Sequence, residues 1–226
     1  GTEVILTYGE KLHEDGTVDI DQGHIPGPIQ TDHYILSGEG VETWEPKFSY
    51  KGYRYVQVTG FPGEPTLDSL QGRVIHTSVA STGEFSTSDP FINQLNGNVR
   101  RAFLNNLYDV LTDTPIWEKN GWTGDAQVMA ATSIYNFDMP RFYTKWLNDI
   151  RDTQRPSGEL SMIAPSNDYR WGGTPDWAAP AWDAALFEIP LEMYRHYGDE
   201  RILRSVYEEM KLYLDFLSSK ADEHIV

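Results

Sequence analysis

The first third of the chain alternates apolar and polar positions over short runs, which is the pattern of β-strands. In residues 53–58, for example, Tyr53, Tyr55 and Gln57 share one face of a predicted strand. Other short runs rich in apolar or β-branched residues predict strands at 4–8, 31–36, 48–50 and 74–79. Because Gly and Pro turns separate these runs, we expect a β-sandwich or jelly-roll segment.

The pattern changes to helical spacing in the following part of the chain. Asp89 and Pro90 form a helix-start signal, and apolar residues then recur three or four positions apart as far as Val110. Further helices are predicted from Asp125 to Ile134, over 141–150, over 180–197 up to Gly198, and from an Asp199 cap through Leu217. Strands followed by helices predict a β domain at residues 1–84 and a helical domain at residues 85–226.

The balance of charges narrows the range of partners. Lysine plus arginine number 18 and aspartate plus glutamate 34, so the formal net charge is −16. Such a charge argues against nucleic acid and against an anionic membrane as partners, and it fits a neutral or cationic substrate. No apolar run approaches the roughly 20 residues that a membrane-spanning helix needs.

Residue types exclude several kinds of chemistry. The chain has no cysteine, so disulfides, cysteine-bound zinc and thiol nucleophiles are excluded. Its 6 histidines lack metal-ligand spacing, and it has no phosphate-binding loop or serine nucleophile motif, so we expect no metal and no cofactor. The chain begins with Gly1 rather than Met, so we expect it to start inside a longer protein. Its compartment, cytoplasmic or secreted, stays open.

A long connection between the first two predicted helices places carboxylates beside indoles. Pro115 prevents simple continuation of the helix, and roughly a dozen residues is long for a link between packed helices. The carboxylates and indoles of this loop are Asp113, Trp117, Glu118, Trp122 and Asp125. An indole face binds the C–H face of a sugar and excludes water, which raises the pKa of a nearby carboxyl so that it can donate a proton. The loop favours glycoside hydrolysis; the alternative is a polar surface loop with a Glu118–Lys119 charge pair.

A second aromatic cluster follows further along the chain. Its members are Trp171, Trp177 and Trp182, interleaved with Asp168, Asp176 and Asp183. For Trp177 and Trp182, in sequence rich in Gly and Pro, sugar contact and core packing are both open. Trp146, in helical step with Phe142 and Ile150, is predicted to belong to the core.

The loop motif resembles a known signature. Residues 113–127, Asp-Thr-Pro-Ile-Trp-Glu-Lys-Asn-Gly-Trp-Thr-Gly-Asp-Ala-Gln, are similar to the pattern Asp-Cys-Pro-x-Arg-Glu-Lys-x-Gly-Trp-Thr-Gly-Asp-Ala-Gln of the α-L-rhamnosidases of glycoside hydrolase family 78. Residues 43–60 resemble the end of that family's β-sandwich domain, and residues 182–199 resemble a later helix pair. The resemblance covers nearly the whole chain.

The resemblance implies a fold, an activity and roles for individual residues. The family's catalytic domain is an (α/α)6 toroid that inverts stereochemistry with one carboxylic acid and one carboxylate base. Glu118 matches the general acid, while Asp113, Trp122 and Asp125 match rhamnose-binding positions. Trp182 matches an aromatic sugar contact. The implied partners are rhamnose-containing glycosides or polysaccharides acted on by a bacterial-type protein, with homo-oligomer formation left open.

The sequence departs from the family pattern at two positions of the loop. Thr114 stands where Cys is common. Trp117 stands where many members carry an Arg that touches the sugar, so Trp117 is kept as a substrate-binding candidate. Trp177 is a further candidate.

None of the glutamates in the chain matches the family's general base. In the family it is a Glu far downstream, beyond Val226, and the candidates within the chain are Glu159, Asp168, Asp176 and Asp183. The predicted helices are also too few for a complete toroid, so we expect a fragment that is inactive alone. The missing helices are expected to leave Phe103 and Leu107 partly uncovered and the fragment prone to associate.

Two other classes of function remain open. A toroid glycoside phosphorylase also pairs a β-sandwich with (α/α)6 helices, but it needs a phosphate site, and the basic residues are not clustered as one. A non-catalytic sugar-binding relative would keep the tryptophans without needing Glu118.

Overall fold

The computed structural model describes residues 1–21, 28–166 and 178–222. Contacts divide the chain into two compact units: unit 1 consists of Gly1–Ile75 with Thr114–Lys119, and unit 2 of His76–Asp113 with Asn120–Val226. The predicted boundary after residue 84 stays a prediction, because a division by contacts does not test where a domain folds. Four residues singled out in the sequence lie outside the described residues: Asp168, Trp171, Asp176 and Trp177.

Unit 1 is built on a three-stranded antiparallel sheet in the order β4-β1-β5, beside a two-stranded β2–β3 ribbon. Its strands are β1 (Glu3–Gly9), β2 (Lys11–Leu12), β3 (Val18–Asp19), β4 (Thr31–Ile35) and β5 (Tyr55–Thr59). In the sheet, Leu6 of β1 lies between Asp32 of β4 and Val58 of β5. Three of the predicted strands therefore form.

Two predicted strands, at 48–50 in unit 1 and at 74–79 where unit 1 meets unit 2 along the chain, do not form. Phe48 is fully exposed and has a positive φ of 61°, which is incompatible with an extended strand. Residues 74–79 include the exposed Val74 and Ile75 and follow a short 3-10 helix at Leu67–Ser69. A β-branched run becomes a strand only where a neighbouring strand pairs with it, and the sequence of the run does not reveal that partner.

Unit 2 is helical, so the predicted order of β structure followed by α structure is confirmed. Its helices are α1 (Pro90–Leu104), α2 (Thr123–Asn136), α3 (Pro140–Thr153), α4 (Pro180–Asp183), α5 (Ala185–Tyr197), α6 (Glu200–Ser205) and α7 (Tyr207–Lys220), with a small hairpin of β6 (Leu107–Tyr108) and β7 (Val110–Leu111). Within the described ranges, no helix combines the length and the apolar character needed to cross a bilayer.

The core of unit 2 gathers around α2, α3 and α5. Ala126 and Ala130 of α2 are fully buried, and these small side chains let α5 and α4 pack close to α2. Trp146 of α3 is fully buried, as predicted, and its indole N–H donates to the carbonyl of Ala164 at 2.8 Å. That bond ties α3 to the segment that supports the start of α2.

The first helix ends earlier than predicted. Helix α1 stops at Leu104, and the chain reverses through the β6–β7 hairpin, where Asp109 has a positive φ of 64°. The expectation that Phe103 and Leu107 are partly uncovered is wrong, since they are only 3% and 0% exposed. The spacing of Phe103 and Leu107 is compatible both with one continuous helix and with a helix followed by a hairpin.

The last two predicted helices are each interrupted once. The 180–197 segment breaks at Ala184, where the Phe187 N–H donates to the Ala184 carbonyl in a tight three-residue turn. The helix after Asp199 breaks at Val206. The end signals are confirmed: Gly198 adopts the left-handed conformation with φ 66°, and the Asp199 side chain accepts from the Arg201 N–H at 3.0 Å.

Candidate active site

In unit 2, the beginning of α2 is held by backbone bonds to residues 162–164. The Thr123 N–H donates to the Met162 carbonyl at 2.8 Å, and the Ala164 N–H donates to the Gly121 carbonyl at 2.9 Å. Asp125 lies exposed in the first turn of the helix. An acidic side chain in the first turn is favoured by the helix dipole, so Asp125 suits this position.

Two indoles flank this helix start. The rings of Trp122 and Trp182 are 6.5 Å apart between centroids and tilted by 59°. Trp182 approaches the helix so closely that a Cβ on Gly124 would lie 2.7 Å from its Cδ1. Trp182 remains 39% exposed, and the neighbouring Gln127 amide donates to the Ala181 carbonyl. The result is an accessible aromatic surface beside an exposed carboxylate, which is the composition of a sugar-binding surface.

Asp113 is oriented by hydrogen bonds to Asn120, at the other end of the loop. The Asp113 N–H donates to the Asn120 carbonyl at 3.0 Å, and the Asn120 N–H donates to Asp113 Oδ1 at 2.8 Å. The Trp122 N–H also donates to the Asn120 carbonyl, at 3.0 Å. Asp113 and Trp122 therefore share one anchor, and unit 2 brings together Asp113, Trp122, Asp125 and Trp182.

Trp117 and Glu118 belong to unit 1. Thr114 accepts the Trp117 N–H through its hydroxyl oxygen at 3.1 Å, which forms a turn at the start of this segment. Ile116 is buried, Trp117 is half-buried and Glu118 is exposed. An exposed carboxyl on an ordered turn is reachable by a substrate.

Lys119 is anchored on Tyr50 of unit 1. Its ammonium donates to the Tyr50 carbonyl at 2.8 Å and lies 4.8 Å from the centre of the Tyr50 ring. Burial and, next to it, the charge of Lys51 lower the pKa of Lys119 to about 8, and Asp32 partly opposes this shift. Tyr50 is therefore one partner of the Lys119 ammonium, and the alternative of a Glu118–Lys119 charge pair stays open.

Two further carboxyls of unit 2, Asp183 and Glu159, are buried. Asp183 is 2% exposed, and its Oδ2 accepts the Tyr213 hydroxyl at 2.7 Å and the Ala179 N–H at 3.0 Å. The pKa of Asp183 is raised to about 6, chiefly by burial and also by the charge of Glu159, while its two hydrogen bonds partly oppose the rise. Glu159 is 3% exposed and lies 3.6 Å from the guanidinium of Arg155. Neither carboxyl faces solvent.

Each unit contains features that the sequence pattern did not reveal. The Lys119–Tyr50 anchor joins residues 69 apart, so no local signal announced it. The close approach of Gly124 to Trp182 was equally hidden, although an unexplained Gly beside a Trp is a weak cue. Trp177 lies outside the described residues. Among the residues that the structure describes, no group of three or more His, Asp or Glu side chains is placed to hold a metal ion.

Comparison with protein families identifies both parts of the chain. Residues 80–225 match the family model described as the bacterial alpha-L-rhamnosidase 6 hairpin glycosidase domain. Residues 1–76 match the bacterial alpha-L-rhamnosidase concanavalin-like domain.

Individual relatives carry the same description. An alpha-L-rhamnosidase of Streptomyces avermitilis is 40% identical over 98% of this chain, which spans 21% of that protein. The solved alpha-L-rhamnosidase of Dictyoglumus thermophilum is similar with a TM-score of 0.88 and 42% identity, over 97% of this chain and 24% of that one. A Streptomyces avermitilis structure complexed with L-rhamnose gives a TM-score of 0.85 and 38% identity, over 98% of this chain and 21% of that one. The chain thus spans about a fifth to a quarter of these relatives.

The raised pKa of Asp183 predicts a pH dependence of stability. Because the folded-state pKa is about 6 and the ordinary value is 3.8, the folded protein holds the proton more tightly, and stability from this group is lost as pH rises from about 4 to 6. Asp183→Asn keeps an oxygen for both hydrogen bonds without the charge. From pH 4 to pH 7, the free energy of unfolding of Asp183→Asn in urea should rise by up to about 3 kcal/mol relative to that of the unsubstituted chain.

Asp183→Ala is the matched control for this experiment. It removes the acceptor of the Tyr213 hydroxyl and should be destabilising at both pH values. A difference between Asp183→Asn and the unsubstituted chain that does not change with pH would contradict the interpretation.

Proposed function

Because this chain belongs to the family of the bacterial α-L-rhamnosidase six-hairpin glycosidase domain, we propose that the protein containing it is an inverting hydrolase that releases terminal α-L-rhamnose from rhamnosides. The observation that carries the proposal is the start of α2, where an exposed Asp125 lies beside the Trp122–Trp182 indole pair. The similarity to a relative whose structure holds L-rhamnose, over 98% of this chain, supports that sugar as the ligand.

Glu118 is the general acid in this mechanism. Its carboxyl donates a proton to the glycosidic oxygen while the bond from that oxygen to C1 of rhamnose breaks, so the aglycone leaves as a neutral alcohol. A water molecule attacks C1 from the opposite face, and a carboxylate base takes its proton. Exposure of Glu118 makes it accessible to the leaving group, and its place in the loop motif supports the role.

Carboxylates and indoles of the same loop hold the sugar. Asp113 and Asp125 accept hydrogen bonds from rhamnose hydroxyls, and Trp122 packs beside the C6 methyl group. Trp182 adds a second apolar surface, since it is accessible and 6.5 Å from Trp122. Trp117 and Trp177 complete the proposed substrate contacts.

The general base lies outside residues 1–226 in this proposal. An inverting enzyme places acid and base roughly 6.5–9.5 Å apart with a water beside the base. Burial argues against Asp183 and Glu159, since neither carboxyl faces solvent. Asp168 and Asp176 lie outside the described residues and do not match the position of the family's base.

Substitution of the acid should affect substrates according to their leaving group. In the complete protein, Glu118→Gln should lower hydrolysis of an alkyl rhamnoside by about 10²–10⁴-fold, because general acid assistance is worth that much. A nitrophenyl rhamnoside should lose far less, because its leaving group needs little protonation. The measurement is kcat/KM on the two substrates, with exposed Glu64→Gln as the matched control. Equal loss on both substrates would refute the role of Glu118.

Removal of the Asp113 charge should weaken sugar binding. Asp113→Asn retains an oxygen that can accept the Asn120 N–H, so the loop stays closed while the charge-assisted bond to a sugar hydroxyl is lost. Such bonds are worth about 1.5–3 kcal/mol, which predicts at least a tenfold rise in the dissociation constant of L-rhamnose. Calorimetric titration of the complete protein tests this, with exposed Asp68→Asn as control. Unchanged affinity would exclude Asp113 from the sugar site.

The purified chain of residues 1–226 should not turn over rhamnosides. It supplies the proposed acid and sugar contacts but lacks the proposed base, without which water is not activated. Release of rhamnose from an alkyl rhamnoside, whose leaving group needs the acid, is the readout, and the complete protein is the positive control. Turnover by the chain that is abolished by Glu118→Gln would place the base within these residues.

A further inference from the structure

A three-residue segment of unit 1, Tyr50-Lys51-Gly52, contacts the turn that carries Glu118 at two points. The Gly52 N–H donates to the Pro115 carbonyl at 3.1 Å, and the Lys119 ammonium donates to the Tyr50 carbonyl at 2.8 Å. These two bonds lie on either side of Glu118 along the chain. We refer to residues 50–52 as the platform.

The platform fits its side of the turn only because residue 52 is glycine. A Cβ at Gly52 would lie 2.5 Å from Cγ1 of Ile116 and 3.0 Å from the Pro115 ring. Ile116 is itself buried, so it has little freedom to move away. The backbone of the platform and the backbone before Glu118 are therefore in direct contact.

The platform is in turn fastened to the sheet of unit 1. The Gly52 carbonyl accepts the side-chain amide of Gln30 at 2.7 Å, and the N–H of Tyr8 in β1 donates to the Gln30 carbonyl at 2.9 Å. Lys51 forms an ion pair with Asp32 of β4 at 3.0 Å, with side chains that are only 6% and 13% exposed. A buried pair of this kind is costly to break, so it fixes the platform.

Lys119 is an unusual residue for the position that it occupies. Its φ is 55°, in the left-handed region that favours Gly or Asn. Its ammonium is also half-buried near Lys51, which lowers its pKa to about 8. A strained and buried residue persists only where the surrounding structure fixes it. The bond from the Lys119 side chain to the Tyr50 carbonyl is one contact that fixes the Lys119 backbone.

We infer that Glu118 is positioned by Lys119 and the platform, so that unit 1 supports proton donation in the reaction proposed above. Lys119 acts through Glu118 and is a positioning residue. The inference rests on the proposed function, because it assigns a supporting structure to the proposed acid. Positioning matters at this point because a misplacement of about 1 Å can cost 10²-fold in rate.

The test compares substitutions of Lys119 in the complete protein. Lys119→Met retains much of the apolar stem but loses the donor, and Lys119→Arg retains a donor and a charge. Lys119→Met should lower kcat on an alkyl rhamnoside by about 10–100-fold, with little change in KM and a smaller loss on a nitrophenyl rhamnoside. Lys119→Arg should recover at least part of that loss. Exposed Lys11→Met of β2 is the control and should leave both substrates unaffected.

A second substitution attacks the other contact point. Gly52→Ala introduces the Cβ that meets Ile116, and it should give the same leaving-group dependence as Lys119→Met without touching Lys119. If Lys119→Met does not fold, as judged by its thermal unfolding midpoint, Gly52→Ala and Lys119→Arg carry the test.

The outcomes separate this inference from the proposed function. If Glu118→Gln shows leaving-group dependence but Lys119→Met and Gly52→Ala reduce activity equally on both substrates, the platform does not position the acid and the inference is wrong. If Glu118→Gln itself lacks that dependence, the proposed function fails. Leaving-group dependence in all three variants supports both.

Discussion

Asp113 and Asn120 are joined by a pair of hydrogen bonds at the base of the loop that carries Glu118. These bonds bring together the two points at which residues 114–119 leave unit 2 and return to it. Closing a loop in this way removes conformational freedom that would otherwise be lost when a substrate binds. Because one of the two bonds uses the Asp113 carboxylate, the residue proposed to bind rhamnose also helps to close the loop.

Asn120 and the residues that follow it also fix the start of α2 through backbone hydrogen bonds. Asn120 accepts the Trp122 N–H, Gly121 accepts the Ala164 N–H, and Thr123 donates to Met162. Trp122 and the first turn of α2 are thus fixed by main-chain contacts rather than by side-chain packing alone. The proposed sugar-binding surface is thus built on backbone bonds, and such a surface requires little reorganisation when a ligand binds.

Sequence patterns predicted those parts of the structure whose causes are local. The caps at Asp89 and Asp199 and the left-handed Gly198 are satisfied within a few residues, and all three are present as expected. The end of α1 was missed because Phe103 and Leu107 can be buried by more than one backbone path. Partners far apart in the sequence, such as Asp183 with Tyr213 at a separation of 30 residues, depend on tertiary packing and leave no local signal.

Adjacent residues of α4 show why composition alone cannot assign roles to carboxylates. Trp182 and Asp183 were interleaved in one candidate cluster, yet the indole is accessible while the carboxyl is 2% exposed. Successive positions on a helix face directions about 100° apart, so neighbours in sequence serve different surroundings. The carboxyl turned inward meets Tyr213 and Ala179 and stabilises α4, which in turn holds Trp182 against Gly124. The buried Asp183 side chain therefore supports the proposed sugar-binding surface indirectly, because its hydrogen bonds hold the helix that presents the indole.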